Sequence, residues 1–213
     1  MARLKGTPRL GSAGKPPARG AVRRGAAARV LRIIGGTWRG RKLRFPAGGD
    51  IRPTPDRVRE TLFNWLGTRI AGARCLDLFA GSGALGLEAL SRGAAHVTFV
   101  EADARAAREL ALRLVEWQAD GGRVVRADAL RFLAGPAEAF AVVFLDPPFA
   151  SDLLARAASA LGTYGWLAPG ALVYVQSAAR GELPPLPADW RLLKAKQAGE
   201  VGYYLFAHPG ADA

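Results

Sequence analysis

The chain has 213 residues, half of them hydrophobic, and a formal net charge of +12 at pH 7. This length can bury one sizeable core, and no apolar run approaches the roughly 18 residues that a membrane span needs. One cysteine and two histidines argue against a disulfide framework and against a metal site. The basic start is not followed by the apolar stretch of a secretory signal, so we expect a cytoplasmic protein with no membrane partner.

The positive charge is concentrated at the amino end. The first 44 residues hold 13 of the 30 Lys and Arg residues and no acid, while the remaining 17 basic residues face 18 acidic ones. Such an arm favours a polyanionic partner, because each basic side chain that meets a phosphate releases condensed counterions. Residues 1–28, rich in Gly, Pro, Ala and Arg, are predicted to be a disordered basic tail. The alternative is a merely solubilising tail.

A β-hairpin that contacts RNA is predicted over residues 29–50. The segment RVLRIIGGTWRGRKLRF indicates two short strands around a turn at Gly35 and Gly36. Basic residues interleave with aromatic ones there, which is typical of contact with single-stranded nucleic acid. The residues expected to contact RNA are Arg32, Trp38, Arg39, Arg41 and Lys42. In the alternative, the aromatic side chains simply pack on the body of the protein.

The segment IRPTPDRVRETLFNWLG predicts a helix. Thr54 is a candidate N-cap, Pro55 fits the first helical position, and Asp56 suits the positive end of the helix dipole. Apolar residues at helical spacing predict a buried stripe of Val58, Leu62, Trp65 and Leu66. Arg57 and Glu60 fall outside this stripe, where they either form a surface ion pair or face a ligand.

After residue 72, strand-like and helical segments alternate. The strand-like segments are RCLDLF, HVTFVE, RVVRA, AVVFLD, ALVYVQS, WRLLKA and VGYYLF, and helical periodicity occurs at 85–91, 104–117 and 151–161. This alternation predicts an α/β domain over residues 51–208, built on a seven-stranded, mainly parallel sheet. The link between the last two strands is too short for a crossover helix, so we expect the last strand to be antiparallel.

The segment LDLFAGSGALGLEAL combines a strand, a glycine loop and a helix. Gly81, Gly83 and Gly86 match G-x-G-x-x-G, in which glycine lets the backbone approach a nucleotide-type cofactor. Asp77 precedes the loop, where a negative charge favours a ligand with an ammonium group, such as the methionine part of S-adenosylmethionine. Glu101 ends the next strand, where it can accept both ribose hydroxyls.

Two of these cofactor assignments have an ordinary structural alternative. Asp128 follows the third strand and suits an adenine amino group, but a carboxylate that caps a following helix would give the same pattern. Glu101 could equally be a plain surface residue at a strand end. The sequence alone leaves both alternatives open.

The segment VVFLDPPF places an acid where the fourth strand ends. Ligands of doubly wound sheets bind beyond the carboxyl ends of the strands, which puts Asp146 beside the glycine loop. Pro147 has no N–H and a free carbonyl, Pro148 restrains it to extended geometry, and Phe149 can stack on a flat ring. Two acceptors beside an aromatic face suit the exocyclic amine of a base. The alternative is an Asp that ends the strand before a Pro-Pro stop.

These motifs resemble motifs I and IV of S-adenosylmethionine-dependent amino-methyltransferases. RIIGGTWRGRKL, RPTPDRVRETLFNWL, YGWLAPGALVYVQS and GEVGYYLF more narrowly resemble the RsmD family, over about residues 30–206. The resemblance implies a Rossmann-like class I fold and methyl transfer to the N2 amine of a guanine in 16S rRNA. Its partner would be 16S rRNA or a 30S assembly particle. One departure is Gln176, where we expect an acid in family members.

The resemblance also implies roles for individual residues. The implied cofactor-binding residues are Asp77, Gly81, Gly83, Glu101 and Asp128, and the implied catalytic residues are Asp146, Pro147 and Phe149. No metal is implied, and we expect a monomer. Two alternatives remain: methylation of an adenine or cytosine amine in DNA, and a non-catalytic RNA-binding module that retains the methyltransferase fold.

Overall fold

The computed structural model describes residues 29–45, 54–149, 151–180 and 182–210. The predicted tail and the last part of the predicted hairpin segment, residues 46–50, lie outside these ranges. Within them, no helix is long and apolar enough to cross a membrane.

The amino-terminal hairpin is a separate two-stranded antiparallel sheet of β1 (Arg29–Arg32) and β2 (Lys42–Phe45). The predicted tight turn at Gly35 and Gly36 is wrong, because residues 33–41 form a longer connection. The Gly35 N–H donates to a side chain of the main body and its carbonyl accepts from another, so these groups do not close a two-residue turn.

The predicted helix follows as α1 (Asp56–Leu66), extended by a short 3₁₀ helix at Gly67–Ile70. The expected N-cap is wrong: Pro55 occupies that position, and no side chain caps the helix. The buried residues of α1 are Val58, Arg59, Leu62, Phe63 and Leu66. Trp65, predicted to be buried with them, is only half-buried and stacks on Tyr203 at 5.3 Å between ring centroids.

Seven strands form the main sheet: β3 (Arg74–Asp77), β4 (His96–Glu101), β5 (Gly122–Arg126), β6 (Phe140–Leu145), β7 (Leu167–Ala178), β8 (Arg191–Ala198) and β9 (Val201–Ala207). Their order in space is β5-β4-β3-β6-β7-β9-β8. All neighbours are parallel except β9, which is antiparallel to both β7 and β8. The predicted mainly parallel sheet with an antiparallel last strand is confirmed.

Helices cover both faces of this sheet. The hairpin and α1 share one face with α2 (Ala84–Ser91) and α3 (Ala104–Glu116). The other face carries α4 (Ala129–Leu133) and α5 (Leu153–Thr163). The short helix α4 was not predicted, whereas the other helices lie within two residues of their expected bounds. This layering leaves the carboxyl edge of the parallel strands for the loops that follow them.

A buried ion pair attaches the hairpin to the main body. Arg59 of α1 and Glu88 of α2 have 0% exposed side chains, and Arg59 Nη1 lies 3.3 Å from Glu88 Oε2. The Ile34 and Gly35 N–H groups donate to the two Glu88 carboxylate oxygens, each at 2.8 Å, and Arg92 Nε donates to Oε1 at 2.8 Å. The Glu88 carboxylate is therefore compensated by two cations and two backbone donors.

The guanidinium of Arg59 completes the attachment. Its Nη2 donates to the Arg32 carbonyl at 2.7 Å and to Asp56 Oδ1 at 2.6 Å. Arg59 Nε has no hydrogen-bond partner among the described residues. Because Arg32 ends β1 and Asp56 begins α1, one side chain fixes the hairpin against the helix.

We expect Glu88→Ala to lower the free energy of unfolding by about 3–5 kcal/mol, because the buried Arg59 guanidinium loses one of its two carboxylate partners and the Ile34 and Gly35 N–H groups lose their acceptor. The measurement is urea-induced unfolding of the full chain. Glu109→Ala is the matched control, since Glu109 pairs with Arg105 at 3.0 Å on the surface of α3 and its loss should cost less than about 1 kcal/mol. Equal losses in the two variants would contradict a structural role for the buried pair.

Candidate active site

The predicted cofactor and catalytic carboxylates converge at the carboxyl edge of the sheet. β3 lies between β4 and β6, and Asp77, its last residue, is in register with Phe99 and Phe144. Glu101 ends β4, and Asp146 directly follows β6. The strand order therefore places the three carboxylates at adjacent strand ends, as the fold prediction required.

The glycine loop between β3 and α2 depends on its glycines. Gly81 and Gly83 have φ of 51° and 76°, the left-handed region that favours glycine. A Cβ at Gly83 would lie 2.5 Å from Leu110 Cδ1, and one at Gly86 would lie 2.2 Å from Phe99 Cε1. Gly83 therefore sets the start of α2, and Gly86 allows α2 to pack closely on β4.

Asp77 is buried beneath this loop, with 2% exposure. Its Oδ2 accepts a hydrogen bond from the Gly86 N–H at 3.0 Å, which ties β3 to the first turn of α2. Burial raises the pKa of Asp77 to about 7; the Gly86 hydrogen bond opposes this shift, and the charges of Asp146 and Glu101 add to it. Ionising Asp77 in this site therefore costs free energy, because the carboxylate is buried and lies near two other carboxylates.

Glu101 links the glycine loop to the end of β4. Its Oε2 accepts from the Gly81 N–H at 2.6 Å and its Oε1 accepts from the Asp103 N–H at 2.8 Å. Asp103 in turn caps α3, accepting from the Ala106 N–H at 2.8 Å. Glu101 is therefore part of the framework of the loop rather than an unattached surface residue, and its contact with a ribose stays a prediction.

Asp128 is an exposed N-cap of α4. Its Oδ1 accepts from the Leu130 and Arg131 N–H groups, both at 3.0 Å. The helix-cap alternative therefore describes this residue, and the shortness of α4 explains why periodicity did not reveal the helix. A contact between Asp128 and adenine stays a prediction, since a carboxylate oxygen has further acceptor capacity.

Asp146 is partly buried and bonded to a distant threonine. Thr54 Oγ1, in a side chain with 4% exposure, donates to Asp146 Oδ2 at 3.0 Å. Burial raises the pKa of Asp146 to about 6, and the hydrogen bond from Thr54 opposes that shift. The hydroxyl expected to cap α1 is thus directed at the candidate catalytic carboxylate. Nothing local in the sequence signals a contact across 92 positions.

The residues after Asp146 leave an acceptor and a ring available. Pro147 is buried, and none of the described residues donates a hydrogen bond to its carbonyl. The Pro148 carbonyl instead accepts from Ser151 Oγ at 2.7 Å. The side chain of Phe149 is 43% exposed. This arrangement can offer two acceptors beside an accessible aromatic face.

On the β7 side of the site lies Gln176, where the family resemblance led us to expect an acid. Gln176 is buried, and its Oε1 accepts from the Tyr174 hydroxyl at 2.8 Å. The pKa of Tyr174 is raised well above its usual value by burial and then by the nearby charges of Asp146 and Tyr203. An amide at position 176 thus supplies an acceptor for Tyr174 without adding another negative charge near Asp146.

The structure does not bring all the predicted RNA-contacting residues to this site. The exposed ones are Arg32, Arg39, Arg41 and Lys42. Trp38 is half-buried, with its ring edge-on to Trp117 at 5.3 Å between centroids. The structure therefore agrees with the alternative that this side chain packs on the body of the protein. Arg41 also lies over the Trp117 ring, 5.3 Å from its centroid.

The hairpin connection, residues 33–41, lies towards the amino edge of the parallel strands. Thr37 N–H donates to the Ser91 carbonyl and Trp38 N–H to Ser91 Oγ, at 2.8 and 2.9 Å. Ser91 is the last residue of α2, about 12 Å along the helix from Gly83, and Trp117 lies about 20 Å along α3 from its start. The connection is therefore separated from Asp146 by the length of these helices.

Arg57 and Glu60, which the sequence left between a surface pair and a ligand contact, are both exposed, and no ion pair joins them. The charged residue of α1 that sequence reasoning missed is Arg59. Its signal is its spacing, since it lies three and four positions before Leu62 and Phe63 on the buried stripe. Within the described ranges, no group of His, Cys, Asp or Glu side chains could hold a metal ion.

Comparison with known proteins shows extended similarity. A relative from Escherichia coli (strain K12), named ribosomal RNA small subunit methyltransferase D, is 51% identical over 176 residues, covering 83% of this chain and 89% of that protein. The structure of the putative methyltransferase yhhF from Escherichia coli matches with a TM-score of 0.78 and 48% identity, over 86% of this chain and 99% of that one.

A more distant structure is that of the T. thermophilus 16S rRNA N2 methyltransferase RsmC in complex with AdoMet and guanosine. It matches with a TM-score of 0.62 and 25% identity, over 91% of this chain and 52% of that one. The family model described as Conserved hypothetical protein 95 matches residues 31–207. The chain therefore belongs to this family, the RsmD family that its motifs resemble.

Proposed function

We propose that the protein transfers a methyl group from S-adenosylmethionine to the exocyclic N2 amine of a guanine in 16S rRNA. The observation that carries this proposal is the convergence of Asp77, Glu101 and Asp146 around the glycine loop, with the Pro147 carbonyl beside them. The name of the E. coli relative supports methylation of small-subunit rRNA, and the name of the T. thermophilus N2 methyltransferase supports the choice of the N2 amine.

The residues at the glycine loop fit S-adenosylmethionine. Burial, and to a smaller extent the charges of Asp146 and Glu101, raise the pKa of Asp77, and a ligand that brings ammonium and sulfonium charges would offset both effects. Asp77, Gly81 and Gly83 would hold the methionine end. Glu101 would accept the ribose hydroxyls, with Asp128 near the adenine.

When bound, S-adenosylmethionine supplies an electrophilic methyl group. An aromatic amine is a poor nucleophile because its lone pair is delocalised into the ring. In the proposed mechanism, Asp146 and the Pro147 carbonyl accept hydrogen bonds from its two N–H groups, which raises the electron density on nitrogen and fixes its direction. The proton that the nitrogen loses on methylation passes to the Asp146 carboxylate. Phe149 stacks on the base and helps to position it. Positioning by these residues and the preorganised acceptors together supply most of the acceleration.

We expect Asp146→Ala to lower methyl incorporation into rRNA by about 100-fold or more, because the amine loses its charged acceptor. The substrate is rRNA from a strain that lacks the gene, with labelled S-adenosylmethionine as donor and mass mapping of the methylated nucleoside. Cofactor affinity, measured by calorimetry, should survive.

Asp152→Ala is the matched control, since Asp152 is an exposed carboxylate in the same segment that pairs with Arg156 on the surface. Its activity should match the wild-type protein. Loss of cofactor affinity together with activity in Asp146→Ala would argue against the division of roles. Methylation of naked DNA, but not of rRNA, would argue against 16S rRNA as the substrate.

Cofactor affinity should rise with pH between 6 and 8. Below its pKa of about 7, Asp77 is protonated and gives no charge to attract an ammonium group; above it, the carboxylate is ionised. We expect binding to be about 10-fold weaker at pH 6 than at pH 8 and to release protons near pH 7.

Titration calorimetry in buffers of different ionisation enthalpy measures both quantities. In Asp77→Asn the dependence on pH over this range should be lost, while Asp120→Asn, an exposed carboxylate on the α3–β5 turn, should retain it. Affinity that is independent of pH in the wild-type protein would contradict a charged role for Asp77.

The proposed phosphate contacts of the hairpin connection predict an effect on RNA binding alone. The double variant Arg39→Ala/Arg41→Ala should bind rRNA more weakly and reduce the slope of affinity against salt by about two. Because this connection is remote from Asp146, the turnover rate at saturating RNA should not change. Arg156→Ala, on the opposite face of the sheet, is the control, and an unchanged salt slope in the double variant would remove these residues from the RNA contact.

A further inference from the structure

The bond between Thr54 and Asp146 links two otherwise separate parts of the chain. Thr54 precedes α1, and Asp146 follows β6, yet Thr54 Oγ1 donates to Asp146 Oδ2 at 3.0 Å. Thr54 has 4% exposure and does not cap α1. The buried Thr54 hydroxyl therefore makes no contact that stabilises α1. It donates instead to the carboxylate that follows strand β6.

We propose that Thr54 is a positioning residue for methyl transfer: its hydroxyl holds one oxygen of Asp146 so that the other faces the target amine. This inference rests on the proposed role of Asp146 as the acceptor of that amine. Thr54 does not contact substrate in this scheme, and acts only through the carboxylate that it orients.

The backbone around Asp146 shows why a second contact is useful. The paired strand β6 fixes the chain before it, and the two prolines restrict the chain after it, so the direction of the Cα–Cβ bond is set. The carboxylate itself can still rotate about its side-chain torsions. Among the described residues, the donor that restricts this rotation is the Thr54 hydroxyl. One engaged oxygen leaves the other available.

The same bond acts on the charge of Asp146. The titratable groups that face it are Asp77 from β3 and Tyr174 from β7, while Thr54 is the facing group at the head of α1. Burial raises the pKa of Asp146 to about 6, and the Thr54 bond favours the ionised form. Without that bond, the pKa would rise further and less of the carboxylate would be ionised at neutral pH.

The place of Thr54 is itself fixed by the buried ion pair. Asp56, two residues later, is bonded to Arg59, whose guanidinium also holds Arg32 of β1 and pairs with Glu88 of α2. The start of α1 is therefore attached to the hairpin and to the helix that follows the glycine loop. Thr54 is presented to Asp146 from a well-anchored element, as a positioning residue must be.

The test is Thr54→Val, which keeps the shape of the side chain and removes the donor. At saturating cofactor and RNA, the rate of methyl transfer at pH 7 should fall about 10-fold, as expected for a lost hydrogen bond to a charged group. The acidic limb of the pH–rate profile should move to higher pH, so the defect should be smaller at pH 8.5 than at pH 6.5. Cofactor affinity at pH 8.5 should be unchanged.

Two further variants separate positioning from folding. Thr54→Ser retains the hydroxyl and should restore the wild-type rate and pH profile. Thr61→Val, within α1, is the matched control and should keep the wild-type rate and pH profile, because the Thr61 hydroxyl donates to the Arg57 carbonyl at 2.9 Å and not to Asp146. Thr54→Ala is a second variant without the hydroxyl, to be used if Thr54→Val has a lowered melting temperature. The residual activity of Thr54→Ala should show the same shift of the acidic limb of the pH–rate profile.

The outcomes distinguish this inference from the proposed function. If Asp146→Ala loses activity while Thr54→Val keeps the wild-type rate and pH profile, the positioning role is overturned and the role of Asp146 stands. A uniform loss of rate with no shift in the pH profile, not restored by Thr54→Ser, would also overturn it. If Asp146→Ala remains fully active, the proposed function fails first.

Discussion

The buried ion pair between Arg59 and Glu88 is the interaction on which the arrangement of this protein depends. A charge taken out of water is costly unless it is compensated, and here each charge is compensated by groups from different elements. Arg59 lies on the helix whose start presents Thr54, and Glu88 lies on the helix that the glycine loop begins. The hairpin supplies its backbone donors and acceptor to both. The Arg59–Glu88 pair therefore sets the positions of the glycine loop, the hairpin and the start of α1, from which Thr54 reaches Asp146.

The electrostatics of the site oppose those of the molecule as a whole. The chain carries a net charge of +12, yet the carboxyl edge of its sheet gathers Asp77, Glu101 and Asp146. Because the pKa values of Asp77 and Asp146 are raised to about 7 and about 6 in the folded state, ionising them costs stability as the pH rises from about 4 towards 7. A fold selected only for stability would not retain this arrangement. The proposed function accounts for this arrangement, because a cationic ligand would complete the site and basic side chains along the hairpin would bind the RNA.

Features set by local pattern were predictable from the sequence, and features set by distant contacts were not. Apolar periodicity located the strands of the sheet, and the glycine spacing located the loop beside Asp146. Thr54 looked like a helix cap because a cap and a long-range donor share the same residue type. Gly35 and Gly36 looked like a hairpin turn, but their environment is α2, where a Cβ at Gly36 would lie 1.7 Å from the Ser91 carbonyl oxygen. Charge pairing across the fold overrode local turn chemistry in that segment.

The position of the hairpin changes what its basic residues can do. Arg32 and Lys42 are paired across β1 and β2, and the Arg32 carbonyl is held by Arg59 near the start of α1. Arg39 and Arg41 lie further away, beside the carboxyl ends of α2 and α3. The exposed cations thus follow the hairpin away from Asp146 instead of surrounding it. For the proposed reaction, an RNA that meets all of these cations would have to extend along this face while one base reaches the carboxyl edge. The hairpin contacts would then contribute to the binding of the whole RNA, and the proposed choice of atom would rest with Asp146, Pro147 and Phe149.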